Sequence, residues 1–274
     1  MLLARYEEGE LHMDLQLTGK TAIVLASTKG LGRATATCLA QEGANVTICG
    51  RDEAALAAVK SELEQATGRA PLAVVADVTK AEDIARIVEE TVRHFGGVDI
   101  LINNSGGPAP GTFDTLTDEQ WVKAFELNLL SYVRAIRAVL PHMRANKFGR
   151  IINFTSSSIK QPLENLILSN TFRTGVVGLA KTLASELGPD GILINTIGPG
   201  RIATDRVAQL DEISAQKTGS TTEEIKQKES AKIPLGRYGQ PDEFARVVTF
   251  LASPANSYVT GQSLLIDGGL VKAI

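Results

Sequence analysis

The amino-acid sequence predicts a single α/β domain, a doubly wound seven-stranded parallel sheet with helices on both faces. Short runs rich in Val and Ile alternate along the chain with longer segments of helical spacing, and this alternation is typical of βαβ units. Several of the runs are apolar throughout, as expected for strands that helices cover on both sides. With 274 residues, of which 43% are hydrophobic and 22% charged, the chain can enclose a large core beneath a polar surface.

The predicted elements follow from the positions of the apolar residues. Between the apolar runs, residues such as Leu56, Val59 and Leu63 recur at the spacing of an amphipathic helix. Gly68 and Gly96 follow two such segments and are expected to end the helices. The seven predicted strands cover residues 21–26, 45–49, 71–76, 100–103, 150–154, 192–196 and 263–266.

The composition argues against several kinds of partner and location. The formal net charge of -3 provides no basic field for nucleic-acid binding, so a small-molecule partner is expected. No window reaches the ~18 apolar residues of a membrane span. Residues 1–14 lack the basic start and apolar run of a signal peptide and are expected to form a flexible tail. Cys38 and Cys49 are too few for a disulfide framework, which fits a reducing cytoplasm.

The first chemical signal is the turn that follows the first predicted strand. It reads Ala26-Ser27-Thr28-Lys29-Gly30-Leu31-Gly32, and a helical segment opens at Arg33. Glycine lets the backbone approach a pyrophosphate closely, and a helix N-terminus presents unpaired N–H groups to the anion. Strand, tight turn and helix in this order predict a dinucleotide-binding Rossmann fold. The expected cofactor contacts in this turn are Ser27, Lys29, Gly30, Leu31 and Gly32.

The end of the second predicted strand favours NADP(H) over NAD(H). A carboxylate at this position would accept from the ribose 2′-OH and repel a 2′-phosphate, but the strand ends Cys49-Gly50-Arg51. Lys29 and Arg51 could converge on one phosphate through charge-assisted hydrogen bonds. The alternative is that two solvated cations lie near each other by accident, with Asp52 adjacent to Arg51.

Further segments extend the pattern over most of the chain. Asp77-Val78, Asn103-Asn104-Ser105-Gly106 and Pro199-Gly200 each follow a predicted strand. From about Leu17 to Gly269 the sequence resembles the short-chain dehydrogenase/reductase family, and its closing segments resemble 3-oxoacyl-carrier-protein reductase-like members. The resemblance implies a homotetramer and a cofactor cleft lined by Asp77, Val78, Asn104, Gly106, Pro199, Gly200, Ile202 and Thr204.

The glycine turn departs from the family pattern at its start. Leu25 and Ala26 stand where the family has Thr and Gly. Because alanine can keep a negative φ and adds only a methyl group, we expect a slightly different loop path that weakens or reshapes cofactor binding without abolishing it.

The catalytic positions depart further. Asn128 and Ser156 match the family Asn, which holds a water, and the family Ser, which hydrogen-bonds the substrate oxygen. The family Tyr and Lys positions are occupied by Ser169 and Arg173, so Tyr-x-x-x-Lys has become Ser-x-x-x-Arg. A serine hydroxyl is a far weaker acid than a tyrosine, and losing one positioned acid typically costs ~10²- to 10⁴-fold in rate. Arg173 could still bind nicotinamide-ribose hydroxyls and supply a positive field.

Several side chains could replace the missing acid, and each has an ordinary structural alternative. Lys160 would lie at the mouth of the site or be a solvated loop cation. Tyr132 shares a helix face with Asn128 and could donate the proton, or it could pack against a neighbouring helix. Glu164 could act as an acid or simply favour a helix start. The three histidines, at positions 12, 94 and 142, form no plausible triad, and metal-ligand spacing is absent.

Two functions of different class remain open at this point. The first is an NADP(H)-dependent oxidoreductase that acts on a carbonyl or alcohol, and the second is a non-catalytic NADP(H)-binding sensor or partner subunit. Asn128 and Ser156 favour the enzyme, because a sheet that only binds a nucleotide needs no serine aimed at a substrate oxygen. The substrate is expected to be shaped by a mobile lid, about residues 201–232, and by the loop 107–111, neither of which carries a recognisable code.

Overall fold

The computed structural model describes residues 6–7, 10–11 and 13–273. The predicted tail, 1–14, therefore lies largely outside the described residues, as does His12. In the described part of this tail, Tyr6–Glu7 pairs with Glu10–Leu11 as a short antiparallel ladder.

The main sheet is all parallel and has seven strands, as predicted. The strands are β1 (Thr21–Val24), β2 (Asn45–Gly50), β3 (Leu72–Val75), β4 (Ile100–Asn103), β5 (Gly149–Phe154), β6 (Ile192–Pro199) and β7 (Ser263–Ile266). Their order in the sheet is β3-β2-β1-β4-β5-β6-β7. Compared with the prediction, β1 ends two residues early because the chain turns at Leu25, and β6 runs three residues further, to Pro199.

Helices connect these strands, and the predicted glycines end two of them. Gly68 and Gly96 follow α2 and α3 with φ of 68° and 87°, a left-handed conformation that glycine adopts at low cost. No helix within the described residues is both long and apolar enough to cross a bilayer. The helices are α1 (Gly30–Gln41), α2 (Glu53–Thr67), α3 (Ala81–Phe95), α4 (Asp118–Phe125), α5 (Ser131–Ala145), α6 (Ile167–Leu187), α7 (Asp205–Thr218), α8 (Thr222–Ser230) and α9 (Pro241–Ala252).

The core consists of two apolar layers, one on each face of the sheet. One layer packs α1, α2 and α9 against the strands, and Phe154 of β5 meets Phe244 of α9 edge to face with ring centroids 4.9 Å apart. The other layer packs α3, α5 and α6 against the opposite face, with Ile87 and Val139 fully buried. Helices on both faces explain why the strand sequences are apolar without alternation.

The strand order reverses direction at β1, which pairs with both β2 and β4. In parallel sheets of this kind the connections leave β1 and β4 towards opposite faces, so that a crevice opens at the carboxyl ends of these two strands. The fold therefore brings the polar segments after each strand to one edge of the sheet.

The segment that composition marked as a lid is helical. It folds into α7 and α8, and the buried Asp211 holds it to the rest of the domain. The Asp211 carboxylate pairs with Arg201 and accepts a hydrogen bond of 3.0 Å from the Tyr238 hydroxyl. The mobility expected from the composition stays a prediction.

The thiol of Cys49 offers a probe of the end of β2. Burial raises the pKa of Cys49 to about 12, and only the thiolate is nucleophilic. In a Cys38→Ser variant, where Cys49 is the single thiol, we expect almost no alkylation by iodoacetamide at pH 8 and complete alkylation in denaturant, read by mass spectrometry. Rapid labelling of the native variant would show that the end of β2 opens to solvent.

Candidate active site

The turn after β1 holds an alanine in a conformation that favours glycine. Ala26 has φ of 47°, so the expectation that it keeps a negative φ is wrong. Hydrogen bonds hold this turn on each side. The Ala26 carbonyl accepts from the Asn104 amide at 3.0 Å, and the backbone N–H groups of Leu25 and Ser27 donate to Ile102 and Cys49 at 3.0 and 2.9 Å. These bonds offset the cost of left-handed alanine, about 1–2 kcal/mol.

Gly32 allows the N-terminus of α1 to approach this turn closely. A Cβ at Gly32 would lie 2.6 Å from the Ala26 carbonyl oxygen and 2.6 Å from the Asn104 side-chain nitrogen. Neither neighbour can withdraw without breaking their mutual hydrogen bond, so a side chain does not fit at this position. Gly30 has φ of 55° and contributes the second special conformation of the turn.

The first turn of α1 is suited to bind an anion. Lys29 is the N-cap residue with extended backbone, and no side chain caps the helix. The first N–H groups of a helix have no partner within it, and they point outwards along the positive end of the helix dipole. These donors, together with the close approach at Gly32, fit the pyrophosphate of a dinucleotide.

Ser27 and Leu31 contribute differently from what sequence reasoning expected. The Ser27 hydroxyl donates to the Val24 carbonyl at 2.8 Å and accepts from the Cys49 N–H at 3.0 Å. Its polar groups are thus used inside the fold, and Ser27 fixes the turn instead of offering a free donor. The Leu31 side chain packs against the apolar layer under α1.

Lys29 lies in the turn and Arg51 directly follows β2, and their convergence on one phosphate stays a prediction. Lys29 and Arg51 are exposed, and neither forms an ion pair with a residue in the part of the chain that the structure describes. The alternative partner, Asp52, is the N-cap of α2 and accepts from the Ala55 N–H at 3.0 Å. Both cations therefore keep their charge available for a phosphate.

The segments after β3 and β6 lie along the same edge of the sheet. Val78 is buried, and the Asp77 carboxylate accepts 2.8 and 3.0 Å hydrogen bonds from the hydroxyl and N–H of Thr79. After Pro199 ends β6, the Gly200 N–H donates to the Ile266 carbonyl at 2.9 Å.

Thr204 connects the start of α7 with the start of α1. It is the N-cap of α7, and its methyl carbon lies 3.6 Å from where a Cβ on Gly30 would be. Ile202, two residues earlier, is buried and forms a parallel bridge with Gly239. The lid therefore starts beside the glycine turn.

Asn128 lies in a π-helical turn, Glu126–Leu130, between α4 and α5. Such turns insert one residue into a helix and are frequent at functional sites. The Asn128 amide donates to the Ser105 hydroxyl at 3.0 Å and to the Gly106 carbonyl at 2.8 Å. Its Oδ1 is buried and accepts no hydrogen bond from the described residues. Because an unsatisfied buried acceptor costs about 1–3 kcal/mol, this oxygen is a site for a water or a ligand donor.

Three serines are linked by contacts between β5 and α6. The Ser156 hydroxyl accepts from the Ser158 N–H at 3.1 Å, and the Ser158 and Ser169 hydroxyl oxygens lie 3.5 Å apart. That separation is longer than a strong O–H···O hydrogen bond, so Ser158 and Ser169 are in weak contact. Sequence reasoning missed Ser158, although it stands in the visible run Ser156-Ser157-Ser158.

Arg173 lies one helical turn beyond Ser169 and is also buried. Its guanidinium donates to the Phe154 carbonyl at 2.9 Å, and the Tyr132 hydroxyl donates to the same carbonyl at 2.8 Å. Tyr132 is completely buried, so the structure supports its packing role over a role as the proton donor. The Phe154 carbonyl at the end of β5 thus holds the Tyr132 and Arg173 side chains in place at the bottom of the site.

The other candidate acids lie outside this cluster. Lys160 and Glu164 are exposed on the loop before α6. His94 and His142 belong to the last turns of α3 and α5. Within the described ranges, no group of three metal-ligating side chains comes together.

Arg206 is a further basic residue at the site that sequence reasoning missed. It extends from the first turn of α7 to the loop after β4, where it donates to the Pro108 carbonyl at 3.0 Å. Burial is the main reason that the pKa of Arg206 is lowered from its usual value, and the positive charge of Arg173 lowers it further.

A parallel sheet that reverses at β1, a glycine turn opening α1 and polar side chains after β5 define a Rossmann-fold dinucleotide-binding protein. A family model described as Enoyl-(Acyl carrier protein) reductase matches residues 25–271. The chain belongs to the short-chain dehydrogenase/reductase family, which confirms the resemblance.

Relatives and solved structures agree over nearly the whole chain. The 3-oxoacyl-(acyl-carrier-protein) reductase FabG of Aquifex aeolicus is 34% identical and aligns with 94% of this chain and 100% of its own. The NADPH-dependent reductase BacG of Bacillus subtilis is 32% identical, with coverage of 94% and 100%. The crystal structure of L-sorbose reductase from Gluconobacter frateurii, complexed with NADPH and L-sorbose, is 32% identical with a TM-score of 0.91, covering 96% of this chain and 100% of that one.

The left-handed Ala26 predicts an unusual response to glycine. Ala26→Gly should leave the free energy of unfolding unchanged or raise it by up to about 1 kcal/mol, because relief of backbone strain outweighs the greater freedom of glycine in the unfolded chain. The matched variant Ala255→Gly, in a turn outside the left-handed region, should lose about 0.5–1 kcal/mol. Equal losses in urea denaturation would show that Ala26 is not strained.

Proposed function

We propose that the protein is an NADP(H)-dependent oxidoreductase that transfers hydride between the nicotinamide and a carbonyl or alcohol substrate. The observation that carries the proposal is the position of Ser156 and Ser169 beside Ser158, at the same edge of the sheet as the glycine turn. Its proposed catalytic residues are Asn128, Ser156, Ser169 and Arg173. Membership of an oxidoreductase family supports this assignment.

The preference for NADPH rests on charge. Lys29 and Arg51 keep uncompensated charges near the glycine turn, and an arginine can bind phosphate with two parallel hydrogen bonds. The residue directly after β2 is Arg51, so no carboxylate stands there to repel a 2′-phosphate. The next residue, Asp52, caps α2 by accepting a hydrogen bond from the Ala55 N–H. The relative named as NADPH-dependent and the NADPH complex of L-sorbose reductase support the same cofactor.

In the proposed reaction, the hydride for the carbonyl carbon would come from NADPH when it is bound. The Ser156 hydroxyl donates a hydrogen bond to the carbonyl oxygen, which stabilises the charge that develops there. The proton that completes the alcohol comes from solvent and reaches this oxygen through the Ser169 hydroxyl or through a water held near Asn128. A serine cannot store negative charge at neutral pH, so its role is to relay a proton and not to serve as an ionised base.

Arg173 supports the site electrostatically. One N–H of its guanidinium is fixed by the Phe154 carbonyl, and the others remain for ribose hydroxyls. A permanent positive charge at this depth also favours the developing alkoxide.

The non-catalytic alternative has less support, because the relatives described above are named as reductases. We also propose that the protein is cytoplasmic and forms a homotetramer. An exposed Leu264 on the edge strand β7, and exposed Val122 and Phe125 on α4, are suitable for contacts between subunits.

Removal of the cations should separate the two nicotinamide cofactors. Lys29→Ala and Arg51→Ala should each weaken NADPH binding about 10-fold, equivalent to about 1.4 kcal/mol, and leave NADH affinity nearly unchanged. Fluorescence titration measures the dissociation constants of NADPH and NADH. Lys60→Ala, on the exposed face of α2, is the control. Equal effects on NADPH and NADH would place these side chains on a part common to both cofactors.

Turnover tests the enzyme assignment. With a panel of carbonyl compounds, we expect loss of NADPH absorbance for at least one compound and a fall in kcat/KM of about 10²-fold or more for Ser156→Ala. Ser61→Ala, an exposed serine on α2, serves as the control. NADPH binding without turnover across a broad panel would support the non-catalytic alternative instead.

The role of Ser169 has its own measurement. If its hydroxyl relays the proton, Ser169→Ala should lower kcat and change the pH dependence of kcat. A pH–rate profile that matches the wild type would assign proton delivery to another group.

A further inference from the structure

Arg206 lies between the lid and the loop that follows β4. Its guanidinium donates to the Pro108 carbonyl at 3.0 Å and to the Gln209 side-chain oxygen at 2.9 Å. A Cβ on Gly107 would lie 2.9 Å from its Nε, so the guanidinium rests directly against the loop backbone. Of the five N–H donors of an arginine, two are thus engaged.

This arrangement differs from that of the other arginines in the interior. The buried Arg150 also lacks a carboxylate, but it donates to four backbone carbonyls, of Gly149, Gly191, Ser253 and Asn256. Arg201, at the base of the lid, pairs with Asp211 and Glu229. Each of these two guanidinium groups has its charge or most of its donors satisfied within the protein.

Arg206 and Arg173 have neither a carboxylate partner for their charge nor most of their N–H donors in hydrogen bonds. Arg173 donates to a single carbonyl, and neither residue pairs with a carboxylate among the residues that the structure describes. Arg206 is half-buried and carries its charge without a carboxylate partner, and a charged group that is partly removed from water is favoured when an anion pairs with it. Arg206 contacts the loop at Gly107 and Pro108, directly after Gly106, whose carbonyl accepts from Asn128 of the proposed site.

We infer that the substrate carries an anionic group, a carboxylate near the reacting carbonyl, which Arg206 binds from the lid side while Arg173 adds to the field below. This inference rests on the proposed function. A guanidinium matches a carboxylate with two parallel hydrogen bonds, so Arg206 would fix the orientation of the substrate as well as its affinity. Because Arg206 begins the lid helix, binding the carboxylate also holds α7 against the loop at Pro108.

The test compares acids with their esters. A panel of 2-oxo and 3-oxo acids is assayed for NADPH oxidation beside the methyl ester and the N-acetylcysteamine thioester of each skeleton. The wild type should prefer the acid over its ester by about 10- to 100-fold in kcat/KM, the range expected for a hydrogen-bonded charge. Arg206→Met should bring this ratio close to one, and Arg206→Lys should retain part of it because the charge persists without the fork.

Lys226→Met removes an exposed cation from α8 and serves as the control, with an acid-to-ester ratio equal to that of the wild type. Esters or thioesters that react as well as acids would overturn the inference and leave the proposed oxidoreductase intact. A rise in the KM for NADPH in Arg206→Met, with an unchanged acid-to-ester ratio, would assign Arg206 to the cofactor phosphates and also overturn it.

A binding measurement keeps the inference distinct from the proposed function. The melting temperature of the NADPH-saturated protein is measured with each acid and each ester. Stabilisation of the wild type by an acid, absent with the ester and absent in Arg206→Met, supports the anion site even if no compound is turned over. If no acid is reduced and none stabilises the wild type more than its ester does, the inference fails whatever the fate of the oxidoreductase assignment.

Discussion

The close contact between the N-terminus of α1 and the turn after β1 is the constraint on which the site depends. Only a glycine fits at position 32, because the Ala26 carbonyl and the Asn104 amide would both lie 2.6 Å from a Cβ there. The hydrogen bond between those two groups also joins the end of β1 to the end of β4. Ser105 and Gly106 follow Asn104 directly and accept from Asn128, so one chain of contacts sets both the glycine turn and the catalytic side.

The Phe154 carbonyl is the second fixed point. Tyr132 and Arg173 both donate to it, from α5 and α6, and this holds the two long helices in register at the end of β5. The guanidinium of arginine is broader than the ammonium of lysine and has five N–H donors. Arg173 can therefore donate to this carbonyl and still present N–H groups to a ligand. Ser169 presents a small hydroxyl 3.5 Å from that of Ser158. Under the proposed assignment of Ser169 to the family Tyr position, the acid function of one side chain is distributed over a group of weaker donors.

Most of the fold could be predicted from the sequence because buried strands and amphipathic helices leave local patterns. The deviations have local causes too. β1 ends early because the chain turns at Leu25 and Ala26. The helices of the lid have caps at Thr204 and Thr221 that its low apolar content did not reveal. Arg206 and Ser158 were missed for a different reason. The contact of Arg206 with Pro108 spans 98 residues of sequence, and no spacing or periodicity encodes such a contact. Family motifs located the other site residues, yet the inward hydroxyl of Ser27 shows that a motif does not determine which way a side chain points.

Basic side chains are concentrated at the proposed site. The chain has a net charge of -3, yet Lys29, Arg51, Arg173 and Arg206 all lie along the edge of the sheet where the strands end. Lys29 and Arg51 are exposed, whereas Arg173 is buried and Arg206 is half-buried. Solvent and salt screen exposed charges more strongly than partly buried ones. The proposed carboxylate site at Arg206 is therefore less screened than the proposed phosphate site at Lys29 and Arg51, and its guanidinium keeps three of five N–H donors for a ligand.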